Sequence, residues 1–113
     1  MKNWTLHFRQ VDHKNFDEVA NGTKSIETRA ATIKYLPIEV GDTLTFVCGK
    51  DRLVKKVMKK YHWPSIEVMT MEIPFRRIMP SIASVDEMKK IYGSYPGYIE
   101  KIKEFGILGF ELK

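Results

Sequence analysis

A chain of 113 residues can bury one hydrophobic core but hardly two, because single domains cluster at roughly 100–150 residues. Its 43% hydrophobic and 29% charged residues exclude the disordered and fibrous classes. No apolar run reaches the ~20 residues of a bilayer-spanning helix, and Met1–Phe8 lacks the apolar block of a signal peptide, so a cytoplasmic protein without membrane partners is expected. The formal charge of +5, from 19 Lys and Arg against 14 Asp and Glu, favours an anionic partner, since clustered cations neutralise phosphates and release their counterions. A solvated basic surface is the competing reading of the same charge.

In chain order, Trp4, Leu6 and Phe8 alternate with polar neighbours, the period of a strand with one buried face. Asp12 as a cap, Phe16 and Val19 three apart, and Asn21-Gly22 as a stop predict a short helix. Lys24–Ala30 resumes the alternation, and the stretch after it is interrupted by Pro37 and a Gly41-Asp42 turn. Two further strands, Thr43–Cys48 and Arg52–Trp63, flank Gly49 and Asp51, which suit a tight hairpin. Lys55, Lys56, Lys59 and Lys60 cannot all face one side of the second strand, so that strand is expected to be exposed, twisted or at an edge.

After Pro64 a helix is predicted from Ser65, whereas residues 74–83, broken by Pro74 and Pro80, read as a loop over the sheet that could serve as a lid. Ser84 with Glu87 three residues on is a capping box, and Val85, Met88 and Ile91 share one helical face. Gly93 and Pro96 should end that helix. Ile99, Ile102 and Phe105 define another, and Ile107–Lys113 closes as a strand. The sum is an α+β fold: a small mixed β-barrel of five or six strands with three or four short helices, in one domain over residues 1–113. A monomer is expected, with a dimer left open.

Cys48, the sole cysteine, sits in an apolar alternation and reads as a packed thiol rather than a nucleophile. His7, His13 and His62 match no common zinc spacing. Neither metal nor another cofactor is expected.

The segment Asn21–Ala30 carries the chemistry. Gly22 allows a positive backbone angle where the helix ends, so the chain can drop directly into the strand and present Lys24 beside the helix terminus. Lys24 can bind phosphate or a base carbonyl, or act as a base if burial lowers its pKa. Glu27 can accept from an exocyclic amine, pair with Lys24 or relay a proton. Arg29 offers a planar fork for phosphate or for stacking on a base. Strict alternation would put Glu27 and Arg29 on one face and Lys24 and Thr28 on the other, so Lys24 can meet Glu27 only if the regular strand begins after Lys24, or if a bulge intervenes. The first is expected. A surface ion cluster that merely braces the barrel is the competing reading.

Gly22, Lys24, Glu27 and Arg29 together resemble the GxKxxExR signature of the ASCH domain family, in the PUA-like superfamily. The upstream helix, the "IEVGDTLTF" step, the "VMKKY" strand and the C-terminal "IYGSYPGY" and "FGILGFEL" blocks extend the resemblance along most of the chain. It implies a PUA-like barrel with a cleft beside the motif strand, and binding of RNA or a modified nucleoside there. Some small relatives hydrolyse N4-acetylcytidine. Against these, Lys24 falls on the catalytic lysine, but Glu27 stands where the nucleophilic threonine would be, and the neutral stretch around Ser81 offers no counterpart of the catalytic acid; Glu72 and Glu87 are substitutes only if the loop packs differently. Lys24 and Glu27 would therefore be catalytic only if the protein is an amidohydrolase on such nucleosides. The binding reading takes Lys24, Glu27 and Arg29 as the cleft, Lys34, Arg76 and Arg77 as phosphate contacts, and Trp63 and Tyr95 as stacking platforms.

Overall fold

In a computed structural model that describes residues 1–113, the sequence alternations become five strands and four α-helices. In order these are β1 (Asn3–Phe8), α1 (His13–Ala20), β2 (Ile26–Ala30), β3 (Thr43–Cys48), β4 (Asp51–Trp63), α2 (Ile66–Glu72), α3 (Val85–Ser94), α4 (Tyr98–Phe105) and β5 (Ile107–Leu112). The strands form one sheet ordered β1-β3-β4-β5-β2, antiparallel except where β1 runs parallel to β3. The fold is α+β, a small mixed half-barrel with few helices. No helix is long and apolar enough to cross a membrane.

β4 is the pivot of the curl. Asp51–Lys56 pair with β3, Val57–Trp63 pair with β5, and the register shifts between Val57 and Lys59. A bulge of this kind bends a strand and sharpens its twist, so one long strand serves two half-sheets. Its lysines are accommodated because the strand is twisted and solvated on its outer side; it is central in the sheet and not an edge.

Curling gives the sheet two differently covered faces. Leu6, Phe46, Leu108 and Phe110 pack inside the curl with Phe16 and Val19 of α1. Ile26, Trp63, Ile107 and Ala30 pack on the other face under Met69, Met88, Tyr92 and Ile102 from the helices of the C-terminal half. Burial of each large apolar side chain contributes about 1.5–3 kcal/mol, and the sequence alternation along β5 divides that gain between the two cores. Gly109 has a steric reason: a Cβ there would sit 2.6 Å from ring atoms of Trp63. The helix ends at Ser94, between the expected stops at Gly93 and Pro96. Gly93 costs only its propensity at that point, because Pro96 and the left-handed Gly97, at φ 68°, make the actual break.

Asp42 ties the N-terminus to the β3 entry. Its Oδ1 accepts from the Lys2 N–H and its Oδ2 from the Glu39 N–H and the Trp4 Nε1–H, each at 2.9 Å. The Glu39 and Lys2 amides, with the Trp4 indole, hold its carboxyl down at about 2. A depressed carboxyl stabilises the fold fully above its unfolded value near 4 and loses that contribution as pH falls through its folded value. Asp42→Asn should therefore lower Tm at neutral pH, and its gap from the parent should shrink between about pH 4 and pH 2 in thermal melts followed by circular dichroism.

Candidate functional site

The site begins where α1 ends. Asn21 closes the helix, and Gly22 at φ 83° adopts the left-handed conformation that other residues resist. The Lys24 N–H then bonds back to the Glu18 carbonyl at 3.0 Å, and the Ser25 N–H bonds to the Arg77 carbonyl at 3.0 Å. Regular pairing starts only at Ile26. Lys24 thus precedes the strand, as the alternation argument requires, and its side chain is free to turn toward Glu27.

The result is a buried line of charges. Lys24 and Glu27 are 4% and 3% exposed, with Lys24 Nζ 3.3 Å from Glu27 Oε1 and Arg29 Nη2 3.0 Å from Glu27 Oε2. Lys24 Nζ also donates to the Ile78 carbonyl at 2.6 Å, and the Thr28 N–H donates to Glu27 Oε1 at 3.1 Å. Burial would raise the Glu27 carboxyl, but Lys24 and then Arg29 overcome it and hold the group below its ordinary value. Burial opposes the charge on Arg29 as well, yet Glu27 raises the guanidinium above its usual range. Glu27 is accordingly an anchored carboxylate with three donors on it, a poor proton acceptor.

β2 pairs only with β5 and is an edge of the sheet, as β1 is at the other end. Arg29 spans the gap between them: Nη1 lies 3.4 Å from the His7 carbonyl of β1, and the guanidinium lies 5.2 Å from the Phe8 ring. A cavity of about 260 Å³ opens beside this gap. It wraps the free edge of β2 and so takes side chains from both faces. Thr28, which alternation sets away from Glu27, lines the cavity too, its hydroxyl bonded to the Tyr92 hydroxyl.

The α3–α4 junction supplies an aromatic wall. Tyr92 and Tyr98 stack with centroids 6.1 Å apart, and Tyr95 meets Tyr98 edge-on at 5.4 Å. Burial pushes the Tyr98 hydroxyl up to about 12 and that of Tyr92 well above its ordinary value, so both are neutral donors. At the mouth stand Lys101, and Arg9 paired with Asp12 at 2.7 Å. Arg9 also lies 5.3 Å from the Tyr95 ring.

Of the residues singled out in the sequence, Lys24, Glu27, Arg29 and Tyr95 line this cavity together. Trp63 does not: it is buried in the helical core, its Nε1 donating to Glu72 Oε2 at 2.6 Å, because its ring fills the space above Gly109. Arg77 is held by Glu111 at 2.9 Å and by Ser25, Arg76 folds over Phe75, and Lys34 over Tyr35. None of these three cations lines the cavity. Glu72 is occupied by Trp63, and Glu87 accepts from the Ala83 N–H at 2.9 Å.

Residues 74–83 are not a lid. Ile78, Met79 and Ile82 are buried, and the Ile78 carbonyl holds Lys24, so the segment is part of the wall. Tyr92, Tyr98, Arg9 and Asn15 were not singled out. The Tyr92-Tyr95-Tyr98 spacing around Pro96-Gly97 was the available signal, whereas Arg9 and Asn15 arrive from distant elements. Cys48 is buried and its thiol is raised, first by that burial, as a packed thiol should be. No three His, Cys, Asp or Glu side chains gather as a metal-ligating group.

No protein-family model and no curated protein matches the chain. Among solved structures it is similar to the crystal structure of a hypothetical protein, PH0355, at 26% identity and a TM-score of 0.84, covering all of this chain and 98% of that one. It is also similar to the solution structure of protein PF0455 from Pyrococcus furiosus, at 23% identity and a TM-score of 0.75, covering all of this chain and 96% of the other. The second likeness shows the fold alone.

Removing one member of a buried charge network leaves the others unpaired at a cost of about 3–5 kcal/mol. Glu27→Ala should lower Tm by about 10 °C or more. Arg76→Ala, on an exposed side chain, should change stability by less than about 0.5 kcal/mol. Parallel denaturant and thermal melts check both.

Proposed function

We propose that this chain is an ASCH domain protein, PUA-like in fold, that binds RNA or a modified nucleoside by taking one base into the cavity beside β2. The single observation that carries the reading is the joining, in one recess, of a buried Lys24–Glu27–Arg29 network with a wall of three tyrosines. Aromatic faces stack on unpaired bases, and fixed cations beside them bind carbonyl or phosphate oxygens. The proposal includes a cytoplasmic monomer that needs no metal or cofactor for binding.

Binding is favoured over hydrolysis of N4-acetylcytidine-type nucleosides because both oxygens of Glu27 are already engaged and Lys24 is committed to Glu27 and the Ile78 carbonyl. A general base must reach the proton it abstracts, and neither group is free to do so. Purified protein incubated with N4-acetylcytidine should release no cytidine; turnover that vanishes in Lys24→Met would reverse this assignment.

For binding, titration with short single-stranded RNAs and with free nucleosides should give saturable affinity, and the RNA affinity should fall steeply with salt. Tyr95→Ala and Lys24→Met should each weaken binding by about tenfold or more while circular dichroism stays native. Parental affinity in both variants would remove the cavity from the binding site.

A further inference from the structure

The hydrogen-bond capacity of the cavity points to a narrower class of ligand. A lysine ammonium has three N–H donors; Lys24 directs its Nζ to the Ile78 carbonyl and to Glu27 Oε1, which leaves one. The Tyr98 hydroxyl accepts from the Ala30 N–H at 3.0 Å, so its own proton is left to donate. Thr28 and Tyr92 share one hydrogen bond between two hydroxyls, so a second proton is spare. The principal acceptor on the floor, Glu27, already takes three donors. The floor's fixed spare donor is therefore the Lys24 ammonium, beside hydroxyls of Thr28, Tyr92 and Tyr98 that can donate or accept.

Charge is uneven and has a direction. Four cations line the cavity, Lys24, Arg29, Arg9 and Lys101, against two carboxylates, Glu27 and Asp12. Lys24 and Arg29 lie deep, whereas Arg9 and Lys101 are exposed at the mouth. A volume of about 260 Å³ falls just below the roughly 300–1,000 Å³ of sites for drug-sized ligands, which suits one base with its sugar toward the opening.

We infer that the site selects a nucleoside monophosphate whose base shows carbonyl oxygens, of the uracil type, with the base on the Lys24–Tyr98 floor and the phosphate between Arg9 and Lys101. This rests on the nucleoside-binding reading above and deepens it. An amine donor on a cytosine or adenine edge would face the Lys24 ammonium, a donor-to-donor contact that a carbonyl oxygen avoids. The phosphate can belong to a free nucleotide or to the 5′ end of an RNA strand, since the mouth binds the same chemistry in both.

Calorimetric titration of the full chain with UMP, CMP, uridine, inorganic phosphate, and oligouridylate with and without a 5′-phosphate tests each part. UMP should bind about tenfold or more tighter than CMP and than uridine, with inorganic phosphate weaker than any of them. Lys101→Ala, at an exposed position, should weaken UMP binding by about tenfold and bring it close to that of uridine. If the 5′-phosphorylated strand outcompetes UMP, the phosphate comes from an RNA end; if it does not, the free nucleotide is the ligand, and either result upholds the inference. Equal binding of UMP and CMP overturns the base-edge assignment, and equal binding of UMP and uridine overturns the phosphate assignment, with the nucleoside-binding function intact in both cases. No binding of any nucleoside, nucleotide or RNA overturns that function as well.

Discussion

Three charged side chains in a line, Lys24, Glu27 and Arg29, hold the open side of this molecule together. Burying charge is costly unless each group is paired and hydrogen-bonded, and here both oxygens of the Glu27 carboxylate meet a donor. The network links three parts of the chain that share no sheet hydrogen bonds. Lys24 holds the carbonyl of Ile78, Arg29 reaches the carbonyl of His7 on β1, and Glu27 joins the two from β2. The half-barrel is closed on this side by side chains, and the recess is what such a closure leaves.

Sheet edges are liabilities because their free N–H and C=O groups invite another strand. Both edges of this sheet, β1 and β2, meet at the cavity, where the guanidinium of Arg29 and the hydroxyl of Tyr98 occupy edge groups of His7 and Ala30. The device that protects the edges thus also lines the site. It also explains why residues from both faces of β2 share one recess, which a central strand, flanked on both sides, could not provide.

The basic character of the chain is spread over its surface and does not by itself locate the site. Lys56 and Lys59 lie on the outer face of β4, while Arg76 and Arg77 are held by neighbours of their own. Polarity at the recess comes from a few buried cations whose field is little screened, and from neutral tyrosine hydroxyls kept protonated by burial. The two buried cations, Lys24 and Arg29, act on a ligand more strongly in a low-dielectric recess than they would in solvent.

The alternation of Trp4, Leu6 and Phe8, the capping box at Ser84, the Gly-Asp hairpin and the glycine after Ala20 are local signals, and local sterics and hydrogen bonding suffice to make strands, helices and turns from them. For the same reason the start of β2 after Lys24 was legible: Gly22 fixes the turn within two residues of it. Trp63 and Arg77 lie away from the cavity because their surroundings are non-local. Whether an aromatic stacks on a ligand or on Gly109, and whether an arginine meets phosphate or Glu111, depends on residues about 34 to 46 positions away. The sequence by itself determined the elements, the α+β class and the Lys24–Glu27–Arg29 cluster, since all of these are set by neighbours along the chain. Only the tertiary structure decided that the cluster lies at a free sheet edge opposite three tyrosines, because the curl at the β4 bulge brings β1, β2 and the α3–α4 junction to one place.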